Sequence, residues 1–195
     1  GYMGWGCLDY FIEQPGRYSF TEAFFANHHA LIHRLETCFP EVARSTPGKR
    51  RSVRPVSKIS TQARKLGLGS TDAKGLLFDR DIVAFYGDPA WQAKMAAGKL
   101  NWHQSLTREG DLYRFKITPT NGPKSFDPVN ENGTQRGYRP FVAFFDNRLA
   151  EPMIQSGKEL NPLITDNFIL VPNPPSKGPA KSLEVVFRAK EIESE

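Results

Sequence analysis

Cysteine is scarce in this sequence, with 2 residues among 195, so a disulfide-dense scaffold is excluded. Neither cysteine belongs to a CxxC pair of the kind that zinc modules use. No apolar run approaches the roughly 20 residues that a membrane-spanning helix needs. Hydrophobic residues make up 39% of the chain and charged residues 24%, which is typical of a globular fold rather than a disordered or fibrous one. Composition alone therefore does not indicate a function, and any indication has to come from the sequence motifs.

Net positive charge is confined to the first half of the chain. Residues 1–104 hold 14 Lys and Arg and 9 Asp and Glu, and the remaining residues hold 12 of each sign. The hydrophobic pattern changes at the same place, from helical periodicity with one short apolar strand to short strands separated by Pro, Gly and Asn. We therefore predict two domains, residues 1–104 and residues 105–195, joined at Asn101–Ser105.

The clearest predicted helix follows Ser19. Ser19 and Glu22 have the spacing of a capping box, in which each side chain satisfies an amide at the start of a helix. Four residues then share one stripe (Phe24, His28, Leu31 and Leu35), and Pro40 ends the pattern. This stripe is wide and partly aromatic, which favours a helix packed on a sheet.

A buried strand is predicted over Ile82–Tyr86, because these five residues are continuously apolar, as in a strand covered on both faces. The charged run Asp79–Asp81 before it is turn-like. Gly87-Asp88-Pro89 ends it, since proline cannot continue the ladder of backbone hydrogen bonds. We expect Phe85 to lie in the core of an α/β layer.

The second half of the chain predicts an all-β domain. Asp111–Thr118 alternates, with Tyr113, Phe115 and Ile117 on one face. Further strand candidates are Phe141–Phe145, Phe168–Val171 and Leu183–Phe187. Turn-forming Asn-Gly and Pro-rich stretches separate them. About 90 residues of short antiparallel strands fit an immunoglobulin-like β-sandwich.

Three histidines of the predicted helix are candidate metal ligands, since His29 and His33 are spaced to share a helix face. No carboxylate joins them in an HExxH pattern, and His28 lies on the apolar stripe. We therefore favour histidines packed within the fold over a metal site.

A basic cluster could contact nucleic acid or acidic glycans; it comprises Lys49, Arg50, Arg51, Arg54 and Lys58. The stretch lacks aromatic residues to stack on bases and is rich in Pro and Ser. We favour an exposed loop open to proteolysis. Nucleic-acid binding is a third hypothesis, and it predicts an affinity that falls steeply with salt.

Cys7 is the candidate nucleophile, and Cys38 reads as a buried structural thiol. A Cys7–Cys38 bridge cannot be deduced from the sequence. The glycines at positions 1, 4 and 6 lack the lysine of a P-loop and the full GxGxxG spacing, so a phosphate cradle is rejected. We expect the start at Gly1 to be an internal cut, with any signal peptide before it.

These motifs together resemble the carboxy-terminal part of a gingipain-type cysteine peptidase domain, which has a caspase-like α/β fold, followed by its immunoglobulin-like module. The most specific segment is IVAFYGDPAW, Ile82–Trp91, which is similar to the segment that closes the catalytic domain in that family. By motif the resemblance covers roughly residues 1–98; the β part matches by architecture and order.

The resemblance implies an endopeptidase with a Cys–His dyad and an acyl-enzyme mechanism, acting on protein or peptide substrates. The family's His-Gly pair is absent from this sequence, so the catalytic histidine is missing. In one register Cys7 is the nucleophile. In a second register, which we favour, Trp5 lines the substrate pocket and both dyad residues lie upstream. Either register predicts that the chain alone does not hydrolyse peptides.

The resemblance also implies an extracellular or cell-surface location, and it is the sole basis for considering calcium as a cofactor. The alternative hypothesis is non-catalytic, a pseudoenzyme or a cell-surface scaffold or adhesion module. Upstream residues would discriminate the two, since a peptidase requires a strand followed by His-Gly and a second strand ending in Cys.

Overall fold

The computed structural model describes residues 6–45, 59–88, 92–127, 139–174 and 180–192. The chain divides into two compact units between Lys99 and Leu100. The described part of the first is helical, and the second consists mainly of antiparallel strands. The architecture is thus mixed, with helices first and sheets afterwards. None of the described helices is long and apolar enough to cross a membrane.

The first unit, which we call the helical unit, contains five helices among its described residues. They are α1 (Gly6–Glu13), α2 (Phe20–Cys38), α3 (Pro40–Ala43), α4 (Thr61–Lys65) and α5 (Ser70–Ile82). The central helix α2 contacts each of the other four. Its capping box is confirmed, because the Ser19 N–H donates to the Glu22 carboxylate at 2.6 Å and the Glu22 N–H donates to Ser19 Oγ at 3.2 Å.

The buried face of α2 combines small residues with the two leucines of the predicted stripe, Leu31 and Leu35, which are each 1% exposed, whereas Phe24 and His28 are half-buried. Ala23, Ala26 and Ala30 are fully buried. A Cβ added at Gly6 of α1 would collide with the Asn27 side chain, so the two helices approach closely. In the described part of the helical unit there is no strand beyond an isolated bridge between Ser19 and Lys94. The expected sheet under the aromatic stripe is therefore not found there.

The predicted strand over Ile82–Tyr86 is wrong. Ile82 is the last residue of α5, residues 83–86 have no regular secondary structure, and Tyr86 is 94% exposed. Phe85 is half-buried rather than in the core. A short apolar run does not distinguish a strand from the end of a helix, and here helical periodicity upstream decides the outcome.

The run Asp79–Asp81, predicted to be a turn, continues α5. Leu76 and Leu77 are buried, and the Asp72 carboxylate accepts the Gly69 N–H at 2.8 Å at the helix start. Arg80 donates to the carbonyl oxygens of Ala43 and Ser45 at 2.8 and 3.0 Å. Charged residues near the end of this helix therefore have tertiary partners that a local pattern cannot show.

The second unit, which we call the β unit, contains seven strands within the ranges that the structure describes. They are β1 (Trp102–Glu109), β2 (Leu112–Pro119), β3 (Phe141–Phe144), β4 (Leu149–Ser156), β5 (Leu163–Ile164), β6 (Phe168–Val171) and β7 (Leu183–Glu191). One antiparallel sheet has the order β1-β2-β7-β4 and the other has the order β3-β6-β5. The predicted strands within β2, β3, β6 and β7 are confirmed. The prediction missed β1, β4 and β5.

Both sheets contribute side chains to one hydrophobic core. The predicted alternation in β2 is confirmed, since Tyr113, Phe115 and Ile117 are all buried. They cluster with Phe141 of β3 and Phe187 of β7, among others. The coarse expectation of two packed antiparallel sheets is thus met.

The strand order differs from that of an immunoglobulin domain. In the constant-type arrangement the fifth strand lies beside the second, and the seventh lies beside the sixth. Here β7 lies between β2 and β4, and β5 pairs with β6. The fifth and seventh strands have exchanged places. The predicted domain boundary between residues 104 and 105 falls within strand β1. The structure separates the two units five residues earlier, after Lys99.

Replacing Ser19 with alanine tests the capping box. Ser19 is fully buried, so Ser19→Ala leaves the Glu22 amide without its side-chain acceptor. We expect the helical unit to lose about 1 kcal/mol of unfolding free energy, measured by urea denaturation. Thr61→Ala at the exposed start of α4 is the control and should change stability by less than about 0.5 kcal/mol. Equal effects of the two variants would contradict the cap's role.

Candidate functional site

A row of five phenylalanine rings lies on the helical unit. Phe11 of α1 contacts Phe20 with ring centroids 5.5 Å apart. Phe85, after α5, contacts Phe20 at 6.3 Å and Phe24 at 5.5 Å, and Phe24 contacts Phe25 at 5.6 Å. We call these five residues the aromatic row. It joins parts of the chain that are far apart in sequence.

The aromatic row is partly accessible to solvent. Phe25 is 42% exposed, and the other four rings are half-buried. Ile12 of α1, next to Phe11 in sequence, is 58% exposed. Single exposed apolar residues are common, whereas five phenylalanine rings in mutual contact that keep partial solvent access are a candidate surface for another element or partner.

Two of the three candidate histidines stack on this row. The His28 ring is nearly parallel to Phe24, with centroids 6.0 Å apart, and the His29 ring stacks on Phe25 at 6.4 Å. Each pair has the i, i+4 spacing that places side chains on the same helix face. His28 and His29 are therefore packed against the row.

Burial lowers the pKa of all three histidines of α2. The pKa of His29 falls to about 4, through burial first and the neighbouring His28 second. Burial also lowers the pKa of His28, with Arg80 as the second cause, and that of His33, with Arg34 as the second cause. The helical unit thus favours the uncharged form of these side chains.

The stability of the helical unit is expected to fall with acidification. Unfolded histidines bind protons near pH 6.5, whereas folded His29 does so only near pH 4, so stability is lost as pH falls between these values. His29→Gln should reduce this loss by about 1–2 kcal/mol, a value discounted for partial exposure. Urea denaturation at pH 7 and pH 4.5 measures the difference.

His103→Gln is the control for this prediction. His103 is an exposed residue of β1, in the other unit, and its replacement leaves α2 intact. The loss of stability of the helical unit between pH 7 and pH 4.5 should be the same in this variant as in the unmodified chain. If His29→Gln also leaves that loss unchanged, His29 does not contribute to it.

Cys7, the candidate nucleophile, lies in the first turn of α1 and is buried. Burial raises the pKa of its thiol, with backbone hydrogen bonds acting in the opposite direction. Burial likewise raises the pKa of Cys38 at the end of α2. A reactive cysteine has a lowered pKa, so both sites have the character of structural thiols.

No disulfide joins Cys7 to Cys38 in this structure. Gly6 lies against Asn27, and Cys38 is eleven residues further along α2, about 16 Å at the rise of an α-helix. A disulfide requires Cα atoms within about 7 Å. The bridge that the sequence left open is therefore not formed in this fold.

Several other candidates lie outside the described residues. These are Trp5, the predicted pocket residue, the basic cluster from Lys49 to Lys58, and the Pro-Ala-Trp end of the Ile82–Trp91 segment. Within the described ranges, no group of three or more His, Cys, Asp and Glu residues could hold a metal ion.

The β unit carries charges of both signs on its four-stranded sheet. Arg114 pairs with Glu184 at 2.5 Å, and Lys190 pairs with Glu151 at 2.7 Å. Arg188 of the same sheet pairs with Asp111 beside it. Within each pair the positive and negative charges neutralise each other, so these residues do not form the basic stripe that is typical of nucleic-acid binding.

The aromatic row is the feature that sequence reasoning missed. The stripe of α2 indicated Phe24 and His28, but the contribution of Phe85 depends on its contacts with Phe20 and Phe24. Comparison with known proteins adds no assignment: no protein-family model, no curated protein and no solved structure matches this chain.

Proposed function

We propose that this chain is the carboxy-terminal part of a gingipain-like cysteine endopeptidase, in which it supplies a layer of helices and an accessory β unit. The aromatic row is the observation that carries the proposal. Helices of an α/β domain bury an apolar stripe against a sheet. Helices α1 and α2 present such a stripe, and no sheet covers it within the described residues.

The catalytic dyad belongs, under this proposal, to residues that precede Gly1. The buried Cys7 thiol, with its raised pKa, supports this second register over one in which Cys7 attacks the substrate. The sequence contains no His-Gly pair, in agreement with an upstream histidine. Trp5 keeps its proposed role as a wall of the substrate pocket.

The immunoglobulin-like character of the β unit, the extracellular or cell-surface location and the use of calcium remain part of the same proposal. Two antiparallel sheets packed around one core support the first of these at the level of architecture alone. The exchanged positions of β5 and β7 mean that any relationship to immunoglobulin domains includes a rearranged strand order.

A non-catalytic scaffold is the second candidate. Burial raises the pKa of both cysteines, so neither thiol has the environment of an activated nucleophile, and this agrees with a scaffold as well as with a dyad that lies upstream. In this case the aromatic row and the β unit serve binding alone, and the full-length protein has no peptidase activity.

Hydrolysis of fluorescein-labelled casein by the full-length protein tests the proposal. We expect hydrolysis that iodoacetamide abolishes, because a cysteine peptidase requires its thiolate. The chain of residues 1–195 alone should be inactive. A full-length protein that is folded, does not cleave casein and is not labelled by electrophilic peptidyl probes would contradict the peptidase proposal and favour the scaffold.

Cys7→Ser in the full-length protein distinguishes the two registers. We expect this variant to retain at least about half of the activity, since a packed thiol is replaced by a side chain of similar size, and Cys38→Ser is the matched control. A fall of several orders of magnitude in Cys7→Ser alone, with the fold intact, would identify Cys7 as the nucleophile.

A further inference from the structure

We draw no further inference here: the strongest candidate, the exposed aromatic row of Phe11, Phe20, Phe24, Phe25 and Phe85 on the helical unit, belongs to the site already described, and nothing in the structure shows what covers it.

Discussion

Phe115→Ala is expected to destabilise the β unit by about 3–5 kcal/mol, the usual cost of truncating a buried phenylalanine. Phe115 is 0% exposed and lies in the central part of β2. It is opposite Leu106 of β1 and Val185 of β7. Removing the Phe115 ring leaves a cavity in the hydrophobic core that both sheets share. Hydrogen exchange of the β2 and β7 amides measures the loss separately from the helical unit.

Met153→Ala is the matched control for Phe115→Ala, because Met153 lies in the same sheet but is 63% exposed. It should change stability by no more than about 0.5 kcal/mol. If Phe115→Ala does not fold, Phe115→Leu keeps most of the volume and should cost about 1–1.5 kcal/mol. A loss below about 1 kcal/mol for Phe115→Ala would contradict the central position of this ring.

Gly157→Ala is the second substitution with a large expected effect. Gly157 has φ of 85° and ψ of 17°, the left-handed conformation that side chains disfavour. A Cβ there would collide with the carbonyl oxygen of Glu184 and lie 3.0 Å from the Cα of Val185. Both atoms belong to β7, which is held between β2 and β4. We expect a loss of about 3–5 kcal/mol, from backbone strain and overpacking together.

Gly110→Ala separates these two causes. Gly110 has φ of +62°, but a Cβ at that position would meet nothing within 4 Å. This variant should therefore lose about 1–2 kcal/mol from strain alone. Urea denaturation of the β unit compares the two variants. Equal losses would mean that β7 moves aside at no cost, and the close approach to Gly157 would then contribute nothing.

The elements that were predicted correctly have signals within a few residues. Ser19 and Glu22 specify the start of α2, because each caps the backbone of the other. The alternation of Tyr113, Phe115 and Ile117 specifies β2, because side chains on a strand point alternately to its two faces. Neither element depends on distant residues for its type, although both depend on them for stability.

The elements that were missed depend on partners elsewhere in the chain. Strand β1 begins inside the predicted join and continues four residues beyond it, and its pairing with β2 extends over all eight of its residues. Strand β4 contains Pro152 and two register irregularities, which obscure its alternation. Pairing with neighbouring strands stabilises β1 and β4, and the pattern of residues within each segment does not indicate that pairing.

Some features of the candidate site were predictable from the sequence, and others depend on tertiary packing. The sequence placed the histidines on α2 and favoured packed side chains over metal ligands, and in the structure His28 and His29 stack on Phe24 and Phe25. The aromatic row could not be predicted, because Phe85 was expected inside a strand rather than against α2. Burial, which sets the pKa of Cys7, is likewise a property of the packed helices.

By itself the sequence determined that a part with helices precedes a β part, and it determined the cap of α2 and the inward face of β2, since each follows from capping or periodicity within a short segment. Only the tertiary structure decided that Ile82–Tyr86 is not a strand and that β7 lies between β2 and β4. The physical reason is that helix ends and strand neighbours are chosen by which distant apolar and polar groups they satisfy, and that choice is made when the chain packs.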